Sequence, residues 1–205
     1  MTRMLAPVLL ALVLALPASA ETRALAGFSR IAAENGVQVT VVVGQRFAVD
    51  VTGRDAQYVR TRVDGGTLRI SRELPWFGIG FHNFDGRVRI AMPSLEAASV
   101  ARGATLAATN VNAGELDLSA AMGGTIDIAG ACHALDASVS MGGVLSAENL
   151  HCDSAAISAS MGGTADVFAQ HDYSASASMG GSINVSGNGA RGNVSTSMGG
   201  SVSQD

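Results

Sequence analysis

The sequence predicts an all-β protein, a parallel β-helix (solenoid) whose chain winds into stacked coils of roughly 19 residues, with two strands in each coil around a Gly-Gly corner. Three observations support this fold class: a short phrase recurs at a nearly constant period, hydrophobic residues alternate on both sides of it, and no helical pattern is visible. The phrase is Met-Gly-Gly, and its copies begin at Met122, Met141, Met161, Met179 and Met198, at spacings of 19, 20, 18 and 19 residues. A degraded copy occupies residues 101–104.

Apolar and polar residues alternate on both sides of each phrase. The residues two, four and six positions before the methionine are apolar, and those between them are mostly serine: the apolar set is Leu116, Leu118, Ala120, Leu135, Ala137, Val139, Ala155, Ile157, Ala159, Tyr173, Ala175 and Ala177. After the phrase the inward set is Ile126, Ile128, Leu145, Ala147, Ala165, Val167, Ile183 and Val185. This period of two predicts two half-buried strands per coil, stacked in register about 4.8 Å from the next coil.

The phrase itself is expected to form the corner between the two strands. Each methionine has the parity of the inward residues, so we predict that it closes the core, where Met is a common gap-filler. The glycines are predicted to turn the chain, since Gly adopts positive φ and permits close backbone approach. These corner glycines are Gly123, Gly124, Gly142, Gly143, Gly162, Gly163, Gly180, Gly181, Gly199 and Gly200. The alternative for the methionines is a ladder of soft ligands for copper.

The first 20 residues have the pattern of a signal peptide. Arg3 precedes an apolar run from Leu5 to Leu16, and Ala-Ser-Ala at 18–20 is a small-x-small cleavage site. We therefore predict an exported mature chain in which residues 21–205 form a single domain. No later segment is apolar enough to be a transmembrane span, and an uncleaved membrane anchor is the alternative for residues 1–20.

Charge is divided unevenly along the chain, which contains no Lys. Residues 21–102 carry eleven Arg against eight acidic residues, whereas residues 103–205 carry Arg191 alone against nine. A nucleic-acid-binding protein needs a basic face, which the repeat region does not supply. We therefore expect no nucleic-acid partner.

Residues 28–72 read as further strands, divided by the turn signals at 34–36 and 64–66. The order of motifs is Phe28…Ile31…Gly36-Val37-x-Val39-x-Val41…Gly44…Phe47-x-Val49-x-Val51-x-Gly53…Gly66-x-Leu68-x-Ile70, then Val88-x-Ile90-x-Met92-Pro93-x-Leu95 and Gly103-Ala104. With the strand–Gly–strand units that follow, this order resembles the "putative auto-transporter adhesin, head GIN domain" family over almost the whole mature chain. The resemblance implies a right-handed β-helix exported to the periplasm or cell surface, and it implies no known reaction. Nothing after residue 205 could form an outer-membrane barrel, so we expect that the chain does not export itself.

A cluster of Cys, His and Asp residues falls at equivalent positions of successive coils. Cys132 and Cys152 both lie nine residues before the next Met, and His133, Asp153 and His171 all lie eight before it. In an exported chain with only two cysteines we predict a Cys132–Cys152 disulfide. The alternative is a zinc or copper site of Cys and His ligands. No nucleophile elbow or His–Ser pairing is recognisable, and the spacing needed for calcium-binding repeats is missing.

A segment rich in aromatic residues, LPWFGIGFHNFDG at 74–86, interrupts the strands. It contains Trp76, Phe77, Phe81 and Phe84, which either plug an open end of the solenoid or form a contact loop for a sugar, a partner chain or lipid headgroups. The outward serines are expected to be a solvated face, with an ice- or glycan-binding ladder as the alternative. We predict a non-enzymatic binding or structural module of the cell envelope, without a cofactor, for an unknown ligand such as a glycan or a protein. The alternative is a carbohydrate-active enzyme that uses the His133/Asp153/His171 column.

Overall fold

The computed structural model describes residues 21–73 and 84–205, and their regular structure is almost all β-strand. The signal peptide predicted at 1–20 lies outside the described residues. The strands are β1 (Glu21–Arg23), β2 (Arg30–Glu34), β3 (Gln38–Val43), β4 (Ala48–Thr52), β5 (Val59–Asp64), β6 (Thr67–Arg72), β7 (Arg87–Met92), β8 (Ala97–Ala101), β9 (Thr105–Ala121), β10 (Thr125–Ser140), β11 (Val144–Ser160), β12 (Thr164–Ser178), β13 (Ser182–Ser186), β14 (Ala190–Ser197) and β15 (Ser201–Gln204). A short 3-10 helix, Ala56–Tyr58, precedes β5. Within the described ranges, none of the helical structure has the length and apolar character of a membrane span.

The predicted solenoid is confirmed. Strands β9 to β12 stack on one another in parallel, with Thr125 beside Thr105 and Val144, and Ser138 beside Ser119 and Ser158. The first segment of each long strand belongs to one side, the front sheet, and the last segment to the other, the back sheet. Beyond the long strands, the front sheet contains β1, β4, β7, β3, β13 and β15, and the back sheet contains β5, β6, β2, β8 and β14.

The core fills the space between the two sheets, and its residues are those that the alternation predicted. Ile126, Leu145 and Ile183 are buried on the front side, and Leu116, Leu135 and Tyr173 on the back side. A second corner of each coil, opposite the Met-Gly-Gly corner, lies where the register shifts between Asp127 and Gly130. The long strands continue through this corner, so each coil contains one bent strand instead of two separate ones.

The amino-terminal half departs from a purely parallel coil. The hairpin of β5 and β6 is antiparallel, and β4 pairs antiparallel with both β1 and β7. Strand β2 still lies parallel between β6 and β8, and β3 lies parallel between β7 and β9. Antiparallel strands therefore flank the parallel stack at the amino-terminal end of both sheets.

Candidate functional site

The repeated phrase forms one tight β-turn per coil. The N–H of Gly163 donates to the carbonyl of Ser160 at 3.0 Å, and the equivalent bond recurs at Gly124, Gly143, Gly181 and Gly200. The two central residues, Met161 and Gly162, have φ of 48° and 74°. Positive φ at both central positions defines a type I′ turn. The same corner is made by Asn35-Gly36 and Arg102-Gly103 in the two preceding coils, so the degraded repeat at 101–104 has the same geometry.

The prediction that the methionines close the core is wrong, because they point into solvent. Met122, Met141, Met161 and Met179 are 41–47% exposed and Met198 is 78% exposed. The prediction failed because side chains alternate between the two faces of a strand only where the backbone is extended. The two central residues of the turn have left-handed backbone, so the alternation does not continue through them. The inward position passes to the residue after the turn, which is the second glycine.

The two glycines of each phrase have different roles. The first, such as Gly162, adopts positive φ and has open space where a side chain would begin. The second, such as Gly163, lacks positive φ, but a Cβ placed on it would lie 2.7 Å from the carbonyl oxygen of Val139 in the preceding coil. Gly124 meets Val100 in the same way, at 2.6 Å. The close approach of neighbouring coils therefore requires a glycine that faces the core.

Cys132 and Cys152 form a disulfide that joins two adjacent coils. They are paired in register, their Cα atoms are 4.5 Å apart, and both are buried, at 7% and 0% exposure. Both sulfurs point into the core at the second corner of the coil. The disulfide consumes the two thiols that the alternative metal site would have used.

His133, Asp153 and His171 form a column on the surface beside the disulfide. The Nδ1 of His133 lies 2.7 Å from one oxygen of Asp153, and the Nδ1 of His171 lies 3.6 Å from the other. All three side chains are exposed, so the pairing of these groups contributes little to stability. Over residues 21–73 and 84–205, no three His, Cys, Asp or Glu side chains are arranged to hold a metal ion.

A shallow acidic groove of about 330 Å³ lies on the back sheet next to this column. Its carboxylates come from Glu115, Asp117, Asp136 and Asp172, and Asp117 lies directly beside Asp136 in the sheet. The groove is open, and its other lining residues are alanine, serine and leucine. Its lining residues Ala134, Ser154 and Asp172 directly follow His133, Asp153 and His171 in the sequence, so the groove adjoins the column.

The outward serines form straight columns. One column on the back sheet contains Ser99, Ser119, Ser138, Ser158, Ser176 and Ser195, each beside the next. A matching column on the front sheet contains Thr105, Thr125, Val144, Thr164, Ser182 and Ser201. One column on each broad face of the repeat region thus carries only short side chains.

Strands β6 and β7, which bound the aromatic segment, end and begin at the same edge of the solenoid as the methionines. Strand β6 lies beside β2, and β7 lies beside β3, so the connection between β6 and β7 joins the two sheets at the corner that Asn35-Gly36 makes in the next coil. Of its aromatic residues only Phe84 falls in the described ranges, and Trp76, Phe77 and Phe81 lie outside them. Phe84 is partly buried against the core, and the guanidinium of Arg72 lies 4.5 Å from its ring centre.

Comparison with protein families decides the relationship that the motif order suggested. The family model described as "putative auto-transporter adhesin, head GIN domain" matches residues 27–189. The chain belongs to this family. The match extends from the amino-terminal strands to β13, so the head GIN domain comprises both the mixed amino-terminal strands and the regular coils. A comparison with curated protein sequences finds no match.

Solved structures share the fold of this head GIN domain. A protein described as a putative adhesin from Bacteroides fragilis aligns with a TM-score of 0.71 at 17% identity, covering 92% of this chain and 97% of that one. A protein described as a putative lipid binding protein from Parabacteroides distasonis aligns with a TM-score of 0.51 at 15% identity, covering 91% and 96%. At these identities the likeness establishes the fold alone.

Sequence reasoning missed the exposed row of methionines in this head GIN domain. The signal was present, because type I′ turns place positive φ at two successive positions, and Asn35-Gly36 is the usual sequence for such a turn. Aligning the Met-Gly-Gly copies with Asn35-Gly36 would have placed each Met at the first central position, where side chains point outward.

Proposed function

We propose that this head GIN domain is exported and serves the cell envelope as a non-enzymatic binding module. The proposed contact loop is the segment that contains Trp76, Phe77, Phe81 and Phe84. The family description and the adhesin-like fold support a binding role, and the pattern of residues 1–20 supports export. The partner is a glycan or a protein of the envelope or of a neighbouring surface.

The observation that carries this proposal is the length of the connection between β6 and β7. Three residues, 35–37, join β2 to β3 at the Asn35-Gly36 corner, whereas the β6–β7 connection uses residues 73–86 at the adjoining corner. In solenoid proteins, insertions of this kind map to loops on one face, which is often the binding face. Aromatic side chains supply large contact areas with geometric preference, and four of the nine in this chain fall in this one segment.

The two broad faces of the repeat region differ from the aromatic segment in a way that also supports a contact role for that segment. Each of these faces carries a column of short side chains that repeats from coil to coil, as in the serine column from Ser99 to Ser195. A repetitive surface of this kind offers few distinctive groups to a partner, whereas residues 74–86 offer aromatic rings, His82 and three glycines. Specific recognition is therefore assigned to the loop.

The proposal is tested with the full chain, including residues 1–20, produced in a bacterial host. We expect the protein outside the cytoplasm with Glu21 as its first residue, as read by amino-terminal sequencing of the fractionated protein. The purified protein is then applied to a glycan array and used to capture envelope proteins. A Trp76→Ala/Phe77→Ala variant should lose binding, and the matched control Ser138→Ala should retain it. Cytoplasmic retention, or equal binding by both variants, would contradict the proposal.

A second candidate function is favoured by one observation, the acidic groove beside His133, Asp153 and His171. Paired carboxylates are the groups that glycoside hydrolysis uses, and an imidazole is a common general acid or base. The test is the release of reducing ends from neutral polysaccharides. Activity that Asp153→Asn abolishes would support an enzyme, whereas activity unchanged by this variant would exclude the column.

A further inference from the structure

The five exposed methionines form a single straight row, which we call the methionine ladder: Met122, Met141, Met161, Met179 and Met198. Each occupies the same position of its turn, and adjacent turns are hydrogen-bonded, since the N–H of Gly142 donates to the carbonyl of Met161 at 3.2 Å. The same bond joins every neighbouring pair in the ladder. Adjacent side chains therefore begin about 4.8 Å apart, the spacing of parallel strands.

Neither packing nor turn geometry explains this row. Core filling is excluded because the side chains are 41–78% exposed. The turn does not require Met, because Asn35 and Arg102 occupy the same position in the two preceding coils with φ of 62° and 53°. Asn and Gly adopt this backbone region with less strain than Met does. A less favourable residue thus stands at five successive corners, where a thioether group is the feature they share.

We propose that the methionine ladder binds a soft monovalent cation, Cu(I) or Ag(I), through the thioether sulfurs of adjacent methionines. Thioethers are soft ligands that select Cu(I) over harder divalent ions. With a metal–sulfur distance of about 2.3 Å, as in zinc thiolates, two bonds in line span about 4.6 Å. This span matches the distance between neighbouring coils, so one cation fits between two consecutive sulfurs whose side chains run parallel.

The surroundings of the ladder favour soft over hard cations. The residue before each of the last four methionines is Ser140, Ser160, Ser178 or Ser197, and two glycines follow every one. No carboxylate is next to the sulfurs in sequence, and the acidic groove lies on the back sheet with the His–Asp column. Binding is a simple coordination in which no bond of the protein is broken and no electron is transferred. The proposal is independent of the binding role assigned to the aromatic segment.

The test uses Ag(I) as a redox-inert probe, added as its nitrate to the full chain in chloride-free buffer without reductant, so that the disulfide stays intact. Isothermal titration calorimetry should detect saturable binding to the wild-type protein. A variant with all five ladder methionines changed to Leu should lose that binding, because the four histidines that it retains are not the site. No saturable binding by the wild type, or equal binding by the five-Leu variant, would overturn the proposal.

Two matched double variants test whether adjacent sulfurs are needed. Met122→Leu/Met198→Leu keeps three consecutive methionines, and Met141→Leu/Met179→Leu leaves three at alternate coils. Both retain the same number of sulfurs. We expect the first to keep its affinity within about threefold and the second to lose about tenfold or more, because no two of its remaining sulfurs are neighbours. Equal affinity of the two variants would show that the sulfurs act singly and would overturn the ladder.

A measurement on the unmodified chain covers the case in which the variants misfold. In protein labelled with 13C at the methionine methyl groups, Ag(I) should shift the resonances of Met141 and Met161. The resonance of Met92, the last residue of β7, whose side chain is fully buried in the core, should remain in place. Shifts shared equally by Met92, or shifts confined to residues outside the ladder, would contradict the assignment.

Discussion

The two glycines of each corner are needed for two different physical reasons. Gly162 needs a left-handed backbone and has free space around it, whereas Gly163 needs no unusual φ but cannot accept a Cβ. We expect Gly162→Asn to change the free energy of unfolding by less than about 1 kcal/mol, since Asn tolerates positive φ. Gly163→Asn should lower it by about 2 kcal/mol or more, because the coils must separate to admit the side chain. Chemical denaturation measures both, and equal losses would contradict the distinction.

The buried disulfide gives a second prediction at the residue scale. Cys132 and Cys152 close a loop of 20 residues between adjacent coils. Cys132→Ala/Cys152→Ala should reduce stability by about 3 kcal/mol, the value expected for a loop of this length. Mass spectrometry of the exported protein should find no free thiol. Two free thiols in the wild-type protein would refute the disulfide, and so would an unchanged midpoint of unfolding in the variant.

The sequence was sufficient to predict most buried residues of the repeat region but not the direction of the corner side chains. Alternation identified Leu116, Ile126 and Tyr173 as inward because each lies in an extended strand, where period two is obligatory. It failed at Met122 and Met141 because left-handed backbone does not obey that period. The pairing of Cys132 with Cys152 was predictable because equal distance from a repeated landmark fixes register.

At the scale of elements, pairing direction was the feature that the sequence did not reveal. Strands β4 and β5 have the same hydrophobic alternation as their parallel neighbours, and alternation carries no information about direction. The direction of pairing is set by the connections between strands. Gly65 and Gly66 form a two-residue turn, which makes β5 and β6 an antiparallel hairpin. The Asp64-Gly65-Gly66 signal was visible in the sequence, but its consequence for the stack was not.

The aromatic segment gives a prediction in which two residues should behave differently. Phe84 packs partly against the core under Arg72, so Phe84→Ala should lower the free energy of unfolding by about 2 kcal/mol, less than for a fully buried ring. Trp76→Ala should leave the melting temperature nearly unchanged while weakening partner binding, if the aromatic segment is the contact. Thermal melts compare the two variants. A loss at Trp76 of several kcal/mol would indicate a structural plug instead.

For the column beside the disulfide, we predict that a substitution has only a small effect on the free energy of unfolding. His133, Asp153 and His171 are exposed, and exposed ion pairs contribute from zero to about 1 kcal/mol. Asp153→Asn should therefore leave the unfolding midpoint within about 1 kcal/mol of wild type, as measured by chemical denaturation. A larger loss would show that the column supports the second corner of the coil.

At the scale of the whole molecule, the candidate sites depend on one arrangement, the in-register stacking of the coils. Register places Cys132 on Cys152, aligns the serine columns and sets the spacing of the methionine ladder. A shift of one residue would turn the inward side chains to solvent, so the hydrophobic pattern fixes the register along each strand. The same register puts the end of β6, the start of β7 and the exposed methionines on one edge, with the serine and threonine columns on the two faces.

The most direct test of this stacking is the distance between spin labels placed along the back-sheet serine column. Cysteines replace Ser119 and Ser195 in one variant and Ser99 and Ser195 in another, and the native disulfide does not react with the label. Ser119 and Ser195 are four coils apart and Ser99 adds a fifth, so the backbone separations should be about 19 and 24 Å at 4.8 Å per coil. Pulsed electron paramagnetic resonance should find narrow distributions whose centres differ by about 5 Å. Equal centres, or broad distributions in both variants, would contradict the stacked solenoid.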